Sequence, residues 1–467
     1  MIQSKSETVP SQIAAFAPAR ILEIELGLPL PAIAAFDEQK AWSYQRALCV
    51  VFLHDRPIGV VEFQFDESGV STQACAQQIW HKLHQEINQH LHQDGLPPIT
   101  HLDIDGLPTK TLPKCIQERE QFLATAPFVS IIVPTHNRPE SLKESLRALL
   151  ALRYPRYEII VADNAPSNNE TYNLVNHIYG YASQLRYIRE DIPGISRARN
   201  SGIAQAQGEI LAFTDDDVVV HPNWLTELVR GFDVTNKVGC VTGYLMPLEL
   251  ETPAQYWCEE NRGTPWFQGH DNLSRWPSRR IFDQTERHIH LYRIGLFGCG
   301  ASMAFKASVL RNAGGFDPAL GGRGPSRCAQ DVATLFRILM HGYKVVHEPN
   351  SLLYHLNRRE YSALRQQIYN YGVGMTAYLT KNVLEYPQLL LDLSTKVPYE
   401  FLIAKPDKKI PRSSHYPKGL TTLQLKGMFY GPLAYLQSRW IERHLHDHPA
   451  RLEGTNPRLP TQGKMIH

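Results

Sequence analysis

The sequence predicts an α/β protein built on a mostly parallel, Rossmann-like sheet that is flanked by helices. Two observations predict this fold class. A continuous apolar run at 128–134, followed by a second buried run at 157–164 that ends in polar residues, is typical of strands buried on both faces of a parallel sheet. Segments with helical periodicity alternate with such runs up to about residue 234, and this βαβα order is typical of doubly wound sheets. A small α+β module is expected before the sheet and a helical region after it.

The composition is that of an ordinary globular protein: 43% of the 467 residues are hydrophobic and 20% are charged. A chain of this length can bury a large core without a disulfide or metal staple. The formal net charge of +2 gives no reason to expect a nucleic-acid partner. No apolar run approaches the roughly 18 residues that span a bilayer, and the polar start is not expected to be a secretory signal. Seven scattered cysteines without zinc-site spacing favour a reduced, cytoplasmic setting.

Residues 1–105 are predicted to form the N-terminal α+β module. Two apolar runs flank His54–Pro57 and predict an antiparallel hairpin. Ser71 can cap a helix whose apolar residues recur every four positions. Four histidines lie on or near that helix, and we interpret them as part of a polar face; His84 and His92 would be metal ligands only if further groups converged on them. These histidines are His81, His84, His90 and His92.

A Pro-containing linker is expected at 106–127, followed by a domain at 128–356. The predicted strands of this domain are 128–134, 157–164, 185–189, 210–213 and 343–347, and its predicted helices include 169–181, 196–206, 306–313 and 329–341. Residues 247–297 resemble a long surface excursion. Its tryptophans either stack on sugars or fill a core, and its arginines are available for phosphate or acidic groups. They are Trp257, Trp266, Trp276, Arg262, Arg275, Arg279 and Arg280.

Three predicted strands end in polar groups, at Pro134–Arg138, Asp163–Asn164 and Thr214–Asp217. In open α/β sheets, ligands bind outside the carboxyl ends of the strands. Consecutive carboxylates repel one another unless a cation or donors neutralise them, and a hard divalent cation is suited to such oxygen ligands. The alternative is a solvated acidic turn that caps the next helix. Neither a Gly-x-Gly-x-x-Gly nor a Walker motif is present, which disfavours dinucleotide dehydrogenases and P-loop enzymes.

Seven segments, taken together, resemble glycosyltransferase family 2. They are 129–138, 161–164, 198–203, 208–217, Gly314–Asp317, Gln330–Asp331 and Pro349 to His355, and the resemblance covers about residues 127–356. It implies a GT-A-type fold and the transfer of a sugar, with inversion, from a nucleotide-sugar such as a UDP-sugar. The implied acceptor is a hydroxyl of a glycan, a lipid-linked sugar or a small molecule, in polysaccharide, cell-wall or glycolipid synthesis. The implied cofactor is Mn²⁺ or Mg²⁺.

The resemblance also implies roles for individual residues on the donor side of the reaction. Asp163 would accept hydrogen bonds from the nucleotide base. The residues implied to line the donor pocket or to orient the donor are Pro134, Thr135, Arg138, Arg199, Asp215 and Asp216. The last aspartate of the DXD-type motif, Asp217, would ligate the metal, and His355, expected after a strand and loop, resembles a further metal ligand. A polar loop histidine is the alternative for His355.

On the acceptor side, the resemblance implies that Asp331 is the general base that deprotonates the acceptor hydroxyl. The alternative is an acidic residue at the start of a helix, where it interacts favourably with the helix dipole. Gln330 stands where many family members carry Glu, and this difference leaves open how the acceptor is oriented. A catalytically degenerate glycan-binding or scaffold protein is therefore one competing interpretation. A sugar-phosphate nucleotidyltransferase is another, although 135–140 lacks the Gly-rich, basic loop that such enzymes carry.

The C-terminal region 357–467 is predicted to be helical and basic. Within 401–467, eleven Lys and Arg against four Asp and Glu give a net charge of +7. Basic residues at 405–426 precede the apolar stretch 428–436, an arrangement suited to the anionic cytoplasmic face of a membrane. A solvated helical tail that packs on the catalytic domain is the alternative. The expected location is therefore the cytoplasm, with peripheral membrane contact left open.

Overall fold

The protein was analysed as a computed structural model, which describes residues 16–66, 69–109, 111–262, 274–284, 300–394 and 416–447. The N-terminal module consists of β1 (Ala19–Glu25), β2 (Phe36–Asp37), β3 (Trp42–Ser43), β4 (Arg46–Leu53), β5 (Arg56–Gln64) and α1 (Thr72–Gln93). Strands β4 and β5 form the predicted antiparallel hairpin, and β1 lies parallel to β4 on the other side. Helix α1 is capped by Ser71, whose Oγ accepts a hydrogen bond of 3.3 Å from the backbone of Ala74.

Part of the predicted linker is a helix rather than extended chain. Helix α2 (Lys114–Ala124) begins after Pro113 and ends before Pro127. The prolines indicated a linker, but many of the thirteen residues between them have good helix propensity, and tertiary contacts hold the helix. Arg119 of α2 is buried and donates to Glu227 of the following domain, over 3.3 Å.

The larger domain contains a nine-stranded sheet within the described residues. Its strands are β6 (Val129–Thr135), β7 (Tyr157–Asn164), β8 (Leu185–Glu190), β9 (Ile210–Phe213), β10 (Val218–Val220), β11 (Val238–Pro247), β12 (Arg280–Phe282), β13 (Met303–Lys306) and β14 (Lys344–His355). The order is β10-β14-β11-β13-β9-β6-β7-β8, with β12 paired to β14. Strands β9, β6, β7 and β8 are mutually parallel, whereas β13, β10 and β12 run antiparallel to their neighbours. The predicted α/β class with a mostly parallel sheet is confirmed.

Helices cover both faces of this sheet. They are α3 (Pro139–Leu150), α4 (Glu170–Asn173), α5 (Ile195–Gln205), α6 (Trp224–Arg230), α7 (Pro253–Arg262), α8 (Ala307–Asn312), α9 (Gln330–Met340) and α10 (Tyr361–Glu385). Successive side chains of a strand point to opposite faces, so Ile131 and Val133 of β6 enter one core and Ile132 enters the other. Both faces are therefore buried, which explains why the strand is a continuous apolar run.

Two predicted elements differ from the structure. The helix expected at 169–181 is divided into the short α4 and a π-helical turn, Leu174–Ile178. The strand expected at 343–347 extends to His355, because residues 348–351 bulge from it and Leu352 and Leu353 then pair with β11 again. His355 consequently lies at the end of a strand, paired with Val218 of β10, and not after a loop.

The C-terminal helix α11 (Lys418–Asp447) packs against α10 at a close crossing. Glycines allow the two backbones to approach: a Cβ on Gly372 would collide with the backbone of Gln424, and one on Gly431 with Thr376. Glu442 of α11 forms an ion pair with Arg197 of α5. The described part of this region therefore packs on the larger domain, as one of the two alternatives expects.

Candidate active site

The carboxyl ends of β6, β7 and β9 bring the three polar segments together as predicted. Thr135, the last residue of β6, pairs in register with Asp163 of β7 and follows Pro134, which pairs with Ala162. Its hydroxyl donates a 2.7 Å hydrogen bond to Oδ2 of Asp216, which follows β9. Thr135 therefore connects the β7 and β9 ends of the site.

Asp163 is buried beneath this edge with half of its carboxylate unpartnered. Its Oδ2 accepts a hydrogen bond of 2.9 Å from the Tyr187 hydroxyl of β8. Its Oδ1 is buried and has no hydrogen-bond partner among the described residues. Burial raises the pKa of Asp163 above its usual value, against the lowering effect of the Tyr187 hydrogen bond. A buried carboxylate oxygen without a donor is costly, so a ligand that donates an N–H group would stabilise it.

Asp217 lies at the centre of a cluster of charged groups. Its Oδ1 is 3.3 Å from Nε2 of His355, and its Oδ2 accepts a 3.0 Å hydrogen bond from Arg138. Arg358 lies 4.0 Å away. Although burial opposes it, the hydrogen bond from His355 and the nearby positive charges hold the pKa of Asp217 well below its usual range. Asp217 is therefore an anion at neutral pH.

Asp215 interacts electrostatically with both Asp217 and Asp331. Arg199 is buried and donates to Oδ1 of Asp215 over 3.0 Å, and also to the backbone oxygen of Gly300 over 3.1 Å. Burial raises the pKa of Asp215, and repulsion from Asp217 and Asp331 adds to this effect, while Arg199 lowers the pKa. The same electrostatic contacts indicate that Asp331 and the DXD-type segment share one site.

Asp331 is the second residue of α9 and is held by backbone donors. Its Oδ2 accepts a 2.6 Å hydrogen bond from the amide of Gly300, and its Oδ1 one of 2.9 Å from Val332. Ala329, before the helix, has a left-handed backbone with φ of 72°. The Gln330 side chain is buried against Gly321 of the Gly-rich loop, where its Oε1 lacks a partner within the described chain.

Asp217 also borders an open cleft of about 470 Å³. The other lining residues that carry charge or hydrogen-bonding side chains are Asn137, Arg138, Glu140, Ser141, Asn357, Arg358 and Arg359. Three of these are arginines, and a guanidinium is suited to phosphate oxygens because it donates two parallel hydrogen bonds. The cleft is thus chemically suited to an anionic ligand next to Asp217.

Several residues considered in the sequence analysis lie elsewhere. Arg197 is paired with Glu442 and does not face the cluster. Trp257 is buried and packs edge-on against Tyr361, so it is part of a core and not a sugar platform. Trp276 donates to the backbone of Pro349 over 3.2 Å. Arg262, Arg275 and Arg279 form ion pairs with Glu259, Glu86 and Glu348. Trp266 lies outside the described residues.

Sequence reasoning missed two members of the site. Tyr187 lies on β8 and pairs in register with Val161 of β7. It stands two positions before Arg189, which pairs with Asp163, and its hydroxyl reaches Asp163. Since alternate residues of a strand share a face, this contact could have been inferred. Arg358 follows His355 by three residues and approaches Asp217. Three consecutive carboxylates need cations to neutralise them, so the basic residues that follow His355 could have been considered as their partners.

Comparison with known proteins identifies the family of this part of the chain. Residues 130–312 match the sequence model of the family described as glycosyl transferase family 2. The match covers less than half of the chain, and we call the domain that contains it, residues 128–356, the glycosyltransferase domain. The predicted family is confirmed, over a shorter range than the 127–356 of the resemblance. The matched range thus contains most of the observed site, while Asp331 and His355 lie beyond it.

Individual relatives match this chain over limited lengths. Glycosyltransferase AglE of Haloferax volcanii is 38% identical over 105 residues, which are 22% of this chain and 34% of that protein. The O-antigen biosynthesis protein RfbC of Myxococcus xanthus is 32% identical over 253 residues, 52% of this chain and 18% of that protein. The chain therefore spans about a third or less of the length of these relatives.

A solved structure is also similar to this chain. It is the mannosyltransferase PcManGT of Pyrobaculum calidifontis, in complex with GDP-Man and Mn²⁺. The identity is 19%, the TM-score is 0.38, and the match covers 69% of this chain and 76% of that one. The predicted GT-A-like class of the domain agrees with its family and with its own sheet order.

Proposed function

We propose that the chain is an inverting, metal-dependent glycosyltransferase that transfers a sugar from a nucleotide-sugar, such as a UDP-sugar, to a hydroxyl acceptor. One observation carries the proposal. Single ligand atoms of Asp215, Asp217 and His355 lie within 4.8 Å of one another at the edge of the sheet where ligands of α/β proteins bind. The acceptor belongs to polysaccharide, cell-wall or glycolipid synthesis.

The residues of this cluster fit a divalent cation. Carboxylate oxygens and an imidazole nitrogen are common ligands of Mn²⁺ and are compatible with Mg²⁺. The other ring nitrogen of His355, Nδ1, is buried without a partner in the described part of the chain. Asp217 and His355 would hold the ion, with Asp215 beside them. A bound cation would stabilise the negative charge that develops on the departing diphosphate.

The remaining residues bind the donor in this proposal. Asp163 offers its unpartnered Oδ1 to an N–H group of the nucleotide base, in a pocket with Pro134 and Thr135. Asp216 is fixed by Thr135 and by Arg138, which donates to its Oδ1 over 3.0 Å. Burial raises the pKa of Asp216 to about 6. Arg199 orients Asp215 and so the donor.

Asp331 is the proposed general base. It takes the proton of the acceptor hydroxyl as that oxygen attacks the anomeric carbon, while the bond to the diphosphate breaks on the opposite face. This displacement inverts the anomeric configuration and needs no covalent intermediate. The backbone amides of Gly300 and Val332 fix the Asp331 carboxylate in place before the acceptor arrives.

The proposal is tested by incubating the full chain with Mn²⁺ and a panel of nucleotide-sugars, with water or a simple glycoside as acceptor. We expect release of a nucleoside diphosphate, and a transferred sugar whose anomeric configuration in NMR is opposite to that of the donor. Pyrophosphate release from a sugar phosphate and a nucleoside triphosphate would instead indicate a nucleotidyltransferase. Binding of glycans without turnover of any donor would indicate a degenerate scaffold protein.

We further propose that α11 docks on an anionic membrane surface. Five large apolar side chains are about half exposed or more and lie along one face of this helix: Leu425, Phe429, Leu433, Leu436 and Trp440. By helical spacing, Lys418 and Arg443 stand at the two ends of the same face. Apolar side chains flanked by cations suit the interface of an anionic bilayer. Among the described helices, none is both long and apolar enough to cross a membrane.

Phe429→Asp should weaken binding of the full chain to phosphatidylserine-containing vesicles by about tenfold or more, because a carboxylate replaces the most exposed apolar side chain of the stripe. Vesicle co-sedimentation measures this. Gln437→Asp is the matched control, since it adds the same charge at an exposed position beside the stripe. Equal losses in the two variants, or no binding by the natural chain, would contradict membrane docking.

A further inference from the structure

Four potential metal ligands meet inside the N-terminal module, far along the sequence from the catalytic cluster. His54 lies in the turn between β4 and β5, His90 in the last turn of α1, Asp94 at the C-cap of α1, and Cys115 in the first turn of α2. All four are buried, and single ligand atoms of the four lie within 4.8 Å of one another. We call these residues the His₂AspCys cluster.

The cluster converges on one carboxylate oxygen. Oδ2 of Asp94 lies 2.6 Å from Nδ1 of His54, 3.2 Å from Nε2 of His90 and 3.0 Å from Sγ of Cys115. The two histidine nitrogens are 3.2 Å apart. The other oxygen, Oδ1, accepts a 3.0 Å hydrogen bond from the backbone amide of Cys115, which fixes the direction of the carboxylate.

Ordinary hydrogen bonding accounts poorly for this arrangement. Three potential donors share a single oxygen that offers about two lone pairs. If both histidine nitrogens carry protons toward Asp94, these two N–H groups also crowd each other. A cation among the four atoms removes the conflict, because each group then contributes a lone pair and none needs to donate.

We propose that the His₂AspCys cluster binds a structural Zn²⁺ ion. Mixed nitrogen, oxygen and sulfur ligands are typical of tetrahedral zinc, with ligand distances of about 2.0–2.3 Å. Such distances place ligand atoms roughly 3.3–3.8 Å from one another. The spacings in the cluster, 2.6–3.2 Å, are shorter, so the four side chains would move apart to admit the ion. One carboxylate and one thiolate neutralise the charge of Zn²⁺. Binding forms a Zn–S bond and releases the Cys115 thiol proton to solvent.

Four protein ligands and complete burial leave no position for a substrate, which distinguishes a structural from a catalytic zinc site. The ion would connect the β4–β5 turn to α1 and to the linker helix α2. Arg119, four residues after Cys115 on α2, donates to the backbone oxygen of His54 and to Glu227 of α6, each over 3.3 Å. The site therefore fixes one helix that contacts both the module and the glycosyltransferase domain.

The test measures the zinc content of the purified full chain by mass spectrometry of the metal. We expect one zinc per chain. Asp217→Asn should retain this zinc, because Asp217 belongs to the catalytic cluster and not to the His₂AspCys cluster. Cys115→Ser and His90→Asn should lose the zinc and melt at lower temperature. The matched controls should keep the zinc. They are Cys75→Ala, which removes a different buried thiol, and His84→Asn, which replaces an exposed histidine of α1.

Cobalt provides a readout that does not depend on the variants folding. The natural chain, stripped with a chelator and loaded with Co²⁺, should show tetrahedral d–d bands and a thiolate-to-cobalt charge-transfer band. A cobalt spectrum without the thiolate band would overturn the proposal. The proposal would also be overturned if the purified natural chain contained no zinc and the folded, metal-free chain bound neither Zn²⁺ nor Co²⁺. Zinc that is lost equally in the control variants would also overturn it.

Discussion

Asp331→Asn is expected to lower the turnover number for sugar transfer by about 10²–10⁴-fold, the usual contribution of a general base. The amide can no longer take the proton of the acceptor hydroxyl. Donor affinity should change little, because Asp331 does not belong to the donor pocket in the proposal. Steady-state kinetics with the active donor, together with calorimetry of donor binding, measure the two effects separately.

Asp233→Asn is a matched control for this variant, since Asp233 lies exposed in a turn before β11. It should retain full turnover. The alternative role of Asp331, an acidic residue at a helix start, predicts a different result. In that case Asp331→Asn would lower the melting temperature while turnover per folded molecule stayed near that of the natural chain.

Asp217→Asn should reduce transfer by about 10³-fold or more, since stabilisation of the leaving diphosphate by a cation is worth several kcal/mol. Its affinity for Mn²⁺ should fall as well. Arg358 loses the carboxylate that it approaches, and Arg138 keeps only Asp216 as a partner, so the variant gains positive charge beside the donor. Residual donor binding without metal is therefore expected, and the decisive readout is how transfer depends on Mn²⁺ concentration.

His355→Gln is the comparison for Asp217→Asn. It removes a neutral ligand instead of an anionic one, and we expect a smaller loss of Mn²⁺ affinity. If Asp217→Asn kept the Mn²⁺ dependence of the natural chain, Asp217 would not be a metal ligand. A solvated acidic turn, the alternative weighed from the sequence, would then be the better description of 215–217.

Much of the glycosyltransferase domain could be predicted from local sequence. Strands β6, β7 and β9 are buried on both faces and are mostly apolar in sequence, despite Ser130 in β6 and Glu158 in β7, so their type and approximate ends were clear. Because the carboxyl ends of parallel strands meet at one edge, the grouping of Asp163 with Asp215 and Asp217 followed.

Features that depend on long-range contacts could not be predicted. Strand β14 contains the polar sequence Glu348–Ser351. In the sequence these residues end an apolar run, but in the structure they form a bulge, and the strand pairs with β11 on both sides of it. The ion pair between Arg197 and Glu442 joins residues 245 positions apart. The His₂AspCys cluster escapes any search for short ligand spacings, since 36 residues separate His54 from His90 and 21 separate Asp94 from Cys115.

The most direct test of the account is calorimetric titration of the natural chain with a nucleoside diphosphate, in the presence and absence of Mn²⁺. Clustered carboxylates at the strand ends should repel the diphosphate unless a cation joins them. We predict at least about tenfold tighter binding with Mn²⁺, which corresponds to about 1.4 kcal/mol, and loss of this difference in Asp217→Asn. Equal affinity with and without the metal would contradict the account.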